Sequence, residues 1–181
     1  MNNERTKNTA KLAKMAMLVA ISIVLVMIIH FPIFPMVAFL EYDPADIPIL
    51  IGTFAFGPAA GVLLTVVTSV LQGITVSSTS GPYGIIMHVI ATTALTLVAG
   101  TIYRRHKTKK MAIIGLVCGT LAMVVVMFFA NLVITPLFMS VPRSMVLELM
   151  PFILAFNAVK AGINSIVTFV LYKRISPFLH R

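Results

Sequence analysis

Five long apolar runs, at about 12–31, 45–76, 83–103, 111–136 and 149–173, leave almost none of this chain for a water-soluble fold. A buried strand needs only a handful of apolar residues, whereas crossing ~30 Å of hydrocarbon as a helix takes about 20. Composition agrees: 59% of the 181 residues are hydrophobic, 10% are charged, and the mean hydropathy is +1.03. Soluble domains are nearer half apolar and about a quarter charged. The chain reads as an all-α membrane protein, a single integral membrane domain over residues 1–181 with a basic tail at 1–11. A soluble catalytic or receptor domain has no room.

The second run is twice the length of one span. It holds Gly57-Pro58, a pair that ends one helix and starts the next, since Gly tolerates the left-handed turn and Pro suits a first helical position. Charge favours the break. With six spans, Arg5, Lys7, Lys11 and Lys14 share a side with Arg104, Arg105, Lys107, Lys109 and Lys110, and with Lys173, Arg174 and Arg181. By the positive-inside rule both termini are then cytoplasmic. Arg143 lies in an outer loop and Lys160 within the last span, while Glu41, Asp43, Asp46 and Glu148 fall outside. The second helix, 45–56, spans only ~18 Å and needs shielding by its neighbours or a thinned bilayer. Outer connections are expected at 32–44, 77–82 and 137–148.

The net charge of +9 does not imply a nucleic-acid partner, because the basic residues flank apolar runs and no basic face is interleaved with aromatics. Cys118 sits alone in an apolar run, so no disulfide framework exists. No small-residue cleavage site follows the first run, which is read as an uncleaved helix. There is no Gly-Lys dipeptide for a phosphate-cradling loop, and His30, His88, His106 and His180 lack metal-ligand spacing. Neither a metal nor a bound cofactor is expected, and no acid–base or nucleophile–base pair points to an enzyme.

Lys160 stands out. A Lys near mid-span costs about 2.5–3.5 kcal/mol on insertion scales, so it should face a cavity or a partner. Asn157, Lys160 and Asn164, at i, i+3 and i+7, share one stripe of an otherwise apolar helix. Such a stripe binds something polar or glues helices together. Asn131 and His88 fall in the outer thirds of the fifth and fourth spans, with Gly84 one turn before His88 leaving space on the same face. Asp43, Pro44 and Asp46 read as an N-cap, a first helical position and a first-turn acid. Leu40 and Tyr42 just before them are free to close over an outer cavity. On the first helix Ala16 and Ala20 form a small-xxx-small pair suited to close approach by another helix; Gly57 and Gly61 form a second.

Three stretches together resemble a known family: Phe39-Leu40-Glu41-Tyr42-Asp43-Pro44-Ala45-Asp46-Ile47-Pro48, Phe56-Gly57-Pro58-Ala59-Ala60-Gly61, and Asn157-x-x-Lys160-x-x-x-Asn164. They resemble the riboflavin-specific S components (RibU type) of energy-coupling factor (ECF) transporters, over roughly residues 10–178. The resemblance implies a six-helix subunit of the cell membrane that captures riboflavin from outside and has no catalysis of its own. It implies a transmembrane coupling (T) subunit and two cytosolic ATPase subunits as partners, the ATPases alone using ATP. It implies substrate contacts at Leu40, Tyr42, Gly84, Asn131, Asn157, Lys160 and Asn164, and coupling-subunit docking at Ala16 and Ala20. The fourth helix departs from the family pattern, reading Met87-His88 in place of Met-Asn; His88 can still make one hydrogen bond and joins the candidate set. The competing readings are an S component for another vitamin and a membrane assembly protein in which Lys160 sits in a structural ion pair.

Overall fold

At Gly57 the backbone turns through φ +96°, a conformation only glycine adopts freely, and Pro58 opens the next helix with its φ already helical. The second apolar run is therefore two helices. The structure, a computed structural model, describes residues 2–77 and 80–179. Its helices are α1 Asn2–Ile28, α2 Asp46–Phe56, α3 Pro58–Ile74, α4 Gly81–Arg105, α5 Lys109–Met139 and α6 Arg143–Leu179. Between α1 and α2 lie β1 Phe31–Pro32, a turn of 3-10 helix at Pro35–Val37, and β2 Glu41–Tyr42. The two short strands pair antiparallel, Phe31 opposite Tyr42 and Pro32 opposite Glu41.

Four helices (α1, α4, α5 and α6) are long and apolar enough to cross a membrane, whereas α2 and α3 have 11 and 17 residues. The bundle solves the shortness of α2 by surrounding it: α1, α3, α4 and α6 all pack against it. Every residue from Asp46 to Phe54 is buried, as a helix apolar on all sides requires. Gly61 of α3 faces Thr53 of α2, whereas Gly57 has no atom within 4 Å of an added Cβ and serves the turn alone. Helices α4 and α5 approach so closely that a Cβ on Gly115 would lie 2.8 Å from the Ala99 carbonyl oxygen.

Phe54 stacks against Tyr103 and Tyr172, with ring centroids at 4.5 and 5.3 Å, joining the far end of α2 to α4 and α6. Lys11 lies over the Phe56 ring at 5.9 Å, and Pro58 borders the same cavity as Arg104 and Arg105. The basic clusters of α1 and of the α4–α5 connection thus share one end, as expected from splitting the run. We call it the basic end, and the end carrying the β-hairpin the loop end. Arg181 lies outside the described residues, as do Ser78 and Thr79 of the 77–82 connection.

Two expectations change. The basic tail at 1–11 is the start of α1 from Asn2 onward. The 137–148 connection shrinks to Ser140–Pro142: α5 runs past Pro136 to Met139, Ser140 caps it in the left-handed region at φ 55°, and α6 begins at Arg143. The reason is that Val146 and Met150 pack against Val37 and Ile153, giving this stretch a buried face to fold on.

In a Cys118→Ala background, a cysteine at exposed Met36 should react with a membrane-impermeant maleimide on intact cells. One at Lys107 should react only after permeabilisation. Labelling of both from the same side would rule out the six-helix crossing.

Candidate functional site

The stretch from Tyr42 to Ala45 is buried without being helical: Tyr42 is 8% exposed, Asp43 4% and Ala45 0%. It meets α6 at Asn164, which stands ~15 Å up the helix from Arg174, about half a hydrocarbon thickness above the basic end. Non-helical backbone at that depth survives only where protein groups satisfy it. Here they do. Asn164 Nδ2 donates to the Asp43 carbonyl at 3.1 Å, Ser22 Oγ to the Ala45 carbonyl at 3.2 Å, and the Ala45 N–H donates to Asp43 Oδ1 at 3.1 Å. The Tyr42 hydroxyl donates to Asn164 Oδ1 at 3.0 Å. Because this segment carries the chain down to mid-depth, an 11-residue α2, ~16 Å long, suffices to reach the basic end.

Its acids do more than cap a helix. The N-cap of α2 is Ala45 with no side-chain cap bond, which corrects the N-cap expectation for Asp43, while Asp46 stands in the first turn as expected. Asp43 Oδ2 accepts from Lys160 Nζ at 2.8 Å and from Gln72 Nε2 at 3.2 Å. Asp46, fully buried, accepts from Thr92 Oγ1 at 2.7 Å and Asn164 Nδ2 at 3.0 Å, with His88 Nε2 at 3.6 Å. Asp46 thus lies inside the bundle and not outside it. The other imidazole nitrogen of His88, Nδ1, lies 2.7 Å from Ser69 Oγ. One network of two carboxylates, a lysine, a histidine and neutral partners ties β2 and α2 to α3, α4 and α6. Burying these charges is tolerable because each has a partner of opposite charge or several hydrogen bonds.

Above the network opens a cavity of about 120 Å³. The strap before β2 covers it with Phe39 and Leu40; α3 gives Ser69 and Gln72, α4 gives Gly84 and His88, α5 gives Met123 and Met127, and α6 gives Phe156, Asn157 and Lys160. A second cavity of about 60 Å³, lined by Asn131, Thr135 and Tyr83, shares Leu40, Gly84 and Met87 with the first. The two form one cleft with aromatic and methionine walls. Leu40, Gly84, His88, Asn131, Asn157 and Lys160 line it. Tyr42 and Asn164 line neither cavity; they brace the segment below. Asn157 Nδ2 is tied to the Ile153 carbonyl at 2.8 Å, and its Oδ1 has no hydrogen-bond partner among the described residues. Asn131 donates to the Met127 carbonyl and accepts from Thr135. Lys160 uses one of its three donors on Asp43.

Sequence reasoning passed over Ser69, Gln72 and Thr92. The same stripe logic applied to α6 would have found them: Thr65, Ser69 and Gln72 follow at i, i+4 and i+7 on α3, and His88, Thr92 and Thr96 at i, i+4 and i+8 on α4, all but His88 buried. Ala16 and Ala20 face outward on α1, exposed, well away from the cleft.

The sequence pattern of the family described as ECF transporter, substrate-specific component, matches residues 10–172. The riboflavin transporter RibU of Staphylococcus aureus (strain TCH60) is 32% identical over 160 residues, covering 84% of both chains. The riboflavin transporter FmnP of Bacillus subtilis (strain 168) is 28% identical over 162 residues, 84% of this chain and 85% of its own. A solved S component of a bacterial ECF transporter superposes with a TM-score of 0.83 at 32% identity, over 96% of this chain and 99% of that one. ThiT from Listeria monocytogenes, at 15% identity and a TM-score of 0.69 over 96% and 98%, shares the fold.

The ion pair makes Lys160→Met a destabilising change, since it strands the Asp43 carboxylate in the bundle. Removing one partner of such a pair costs about 3 kcal/mol. Lys160→Met combined with Asp43→Asn should recover at least half of that loss. A thermal or denaturant melt in detergent checks it, and a double variant that loses the sum of the two single losses would mean the pair is not coupled.

Proposed function

Because this chain belongs to the family of substrate-specific components of ECF transporters, we propose that its loop-end cleft captures riboflavin from outside the cell. The chain is a membrane-embedded binding subunit of an ECF vitamin importer. On this reading it passes its ligand to a transmembrane coupling subunit driven by two cytosolic ATPase subunits, and performs no catalysis itself. The observation that carries the ligand assignment is the pairing of apolar walls with a few convergent polar atoms. Met123, Met127, Phe39 and Phe156 suit a flat, largely apolar isoalloxazine ring. The unpartnered Asn157 Oδ1 suits the ring's imide N–H, and the spare Lys160 donors suit carbonyl or hydroxyl oxygens. The names of the two curated relatives support the same ligand.

The six residues lining the cleft are proposed as its contacts. Tyr42 and Asn164 act one layer deeper, holding the backbone of Asp43 and so the position of Lys160. The cleft is smaller than the ~300–1,000 Å³ usual for ligand sites, so the strap carrying Phe39 and Leu40 must yield for entry and close afterwards. The basic end, by the positive-inside rule, faces the cytoplasm with both termini, which turns the cleft outward. The exposed Ala16/Ala20 face is proposed as the docking surface for the coupling subunit, since small residues let a partner helix approach closely.

Riboflavin added to the purified protein should lose fluorescence in a saturable titration, and no quenching at any concentration would sink the ligand assignment. Asn157→Ala should weaken binding about 2- to 13-fold, the worth of one neutral hydrogen bond. Ala16→Trp should leave that titration unchanged while abolishing uptake into cells that supply the coupling subunits. Loss of binding and uptake together would mean that α1 contributes to folding and not to docking.

A further inference from the structure

From the basic end up to mid-depth, sharing no lining residue with the cleft, an apolar groove of about 380 Å³ runs between α5 and α6. Leu116 forms its floor, Val117, Leu121 and Ile166 its exposed walls, and Gly162 a notch in which an added Cβ would meet no atom within 4 Å. Almost no polar surface lines it. Phe169 closes the groove towards the basic end and also lines the next cavity, of about 200 Å³. The character of that cavity is different: it presents Lys107, Lys109, Thr108, Tyr103 and Tyr172. Among the described residues neither lysine has a carboxylate within ion-pair distance. In a bilayer, any outward groove fills with acyl chain. A site is made where a charged end selects the headgroup, and basic pockets between helices select anionic ones.

We infer that the α5–α6 groove and the Lys107/Lys109 cavity together bind one anionic phospholipid. An acyl chain lies over Gly162 and Leu116, and the headgroup phosphate meets the two lysines. Charge complementarity decides the occupant. A zwitterionic lipid brings a cation back to a cluster of Arg104, Arg105, Lys107, Lys109 and Lys110 that has no ion-paired carboxylate among the described residues. A partner helix would leave the lysines as they are. The site is independent of the riboflavin reading, since it shares no residue with the cleft.

Native mass spectrometry of the detergent-purified chain, with phosphatidylglycerol or phosphatidylcholine of matched acyl chains added, tests it. One phosphatidylglycerol should remain bound at activation energies that strip phosphatidylcholine. Lys107→Gln and Lys109→Gln should each weaken retention about fivefold. Gly162→Leu, filling the notch, should weaken it too while the melting temperature holds. Lys7→Gln, at the same end but outside the cavity, should change nothing. Equal retention of both lipids, or an equal effect of Lys7→Gln and Lys107→Gln, overturns the site. So does competition by glycerol phosphate alone with no effect of Gly162→Leu.

Discussion

Four residues of non-helical chain at the heart of a membrane bundle set the terms for the rest of this structure. From Tyr42 to Ala45 the backbone has left one helix and not yet entered the next, at a depth where no water can serve its amides and carbonyls. Asn164 and Ser22 satisfy two of its carbonyls, and Asp43 turns its own side chain back onto the Ala45 amide. Descending unwound is what makes room. Had the chain continued as helix to the loop end, the volume now lined by Gln72, His88, Asn157 and Lys160 would be filled by another turn of α2.

The charges follow from the same arrangement. Once Asp43 and Asp46 are drawn inside, each needs compensation in a low dielectric, and the partners come from three different helices, α3, α4 and α6. Lys160 neutralises Asp43; Thr92, Asn164 and His88 surround Asp46. The network therefore fixes helix positions and leaves specific atoms over. Asn157 Oδ1 and the remaining Lys160 donors are left over because both carboxylates beneath them are already paired. The structural ion pair of Lys160 and its proposed role as a binding group, which looked like rivals, are compatible in one residue.

Function divides along the membrane normal. Ligand capture is assigned to the loop end, where the strap and four helices converge. The coupling helix is assigned to the smooth Ala16/Ala20 face of α1, which shares no side chain with the cleft. The bundle itself is a fold shared with ThiT at 15% identity. At the basic end the α5–α6 groove and its lysines give the lipid a defined place as well.

Hydrophobic run length, the Gly57-Pro58 pair and the placement of Lys and Arg sufficed to read six helices, the short α2 and the common end of the basic clusters. These are local or one-dimensional signals: a turn conformation, a span length, a charge asymmetry. The stripe Asn157, Lys160, Asn164 was legible for the same reason, since one helix carries its own periodicity. The partners of those residues were not. Asp43 lies 117 positions from Lys160 and Tyr42 122 from Asn164, and nothing in the sequence reports a pairing across such distances. The sequence reads Asp43 as an N-cap and Asp46 as a first-turn acid, and only the fold shows both carboxylates turned inward to Lys160, Thr92 and Asn164. The same holds for Asn164, which the sequence offered as a ligand contact and the packing commits to Asp43, Asp46 and Tyr42: tertiary structure alone decides which polar atoms are spent on the protein and which are left for a ligand.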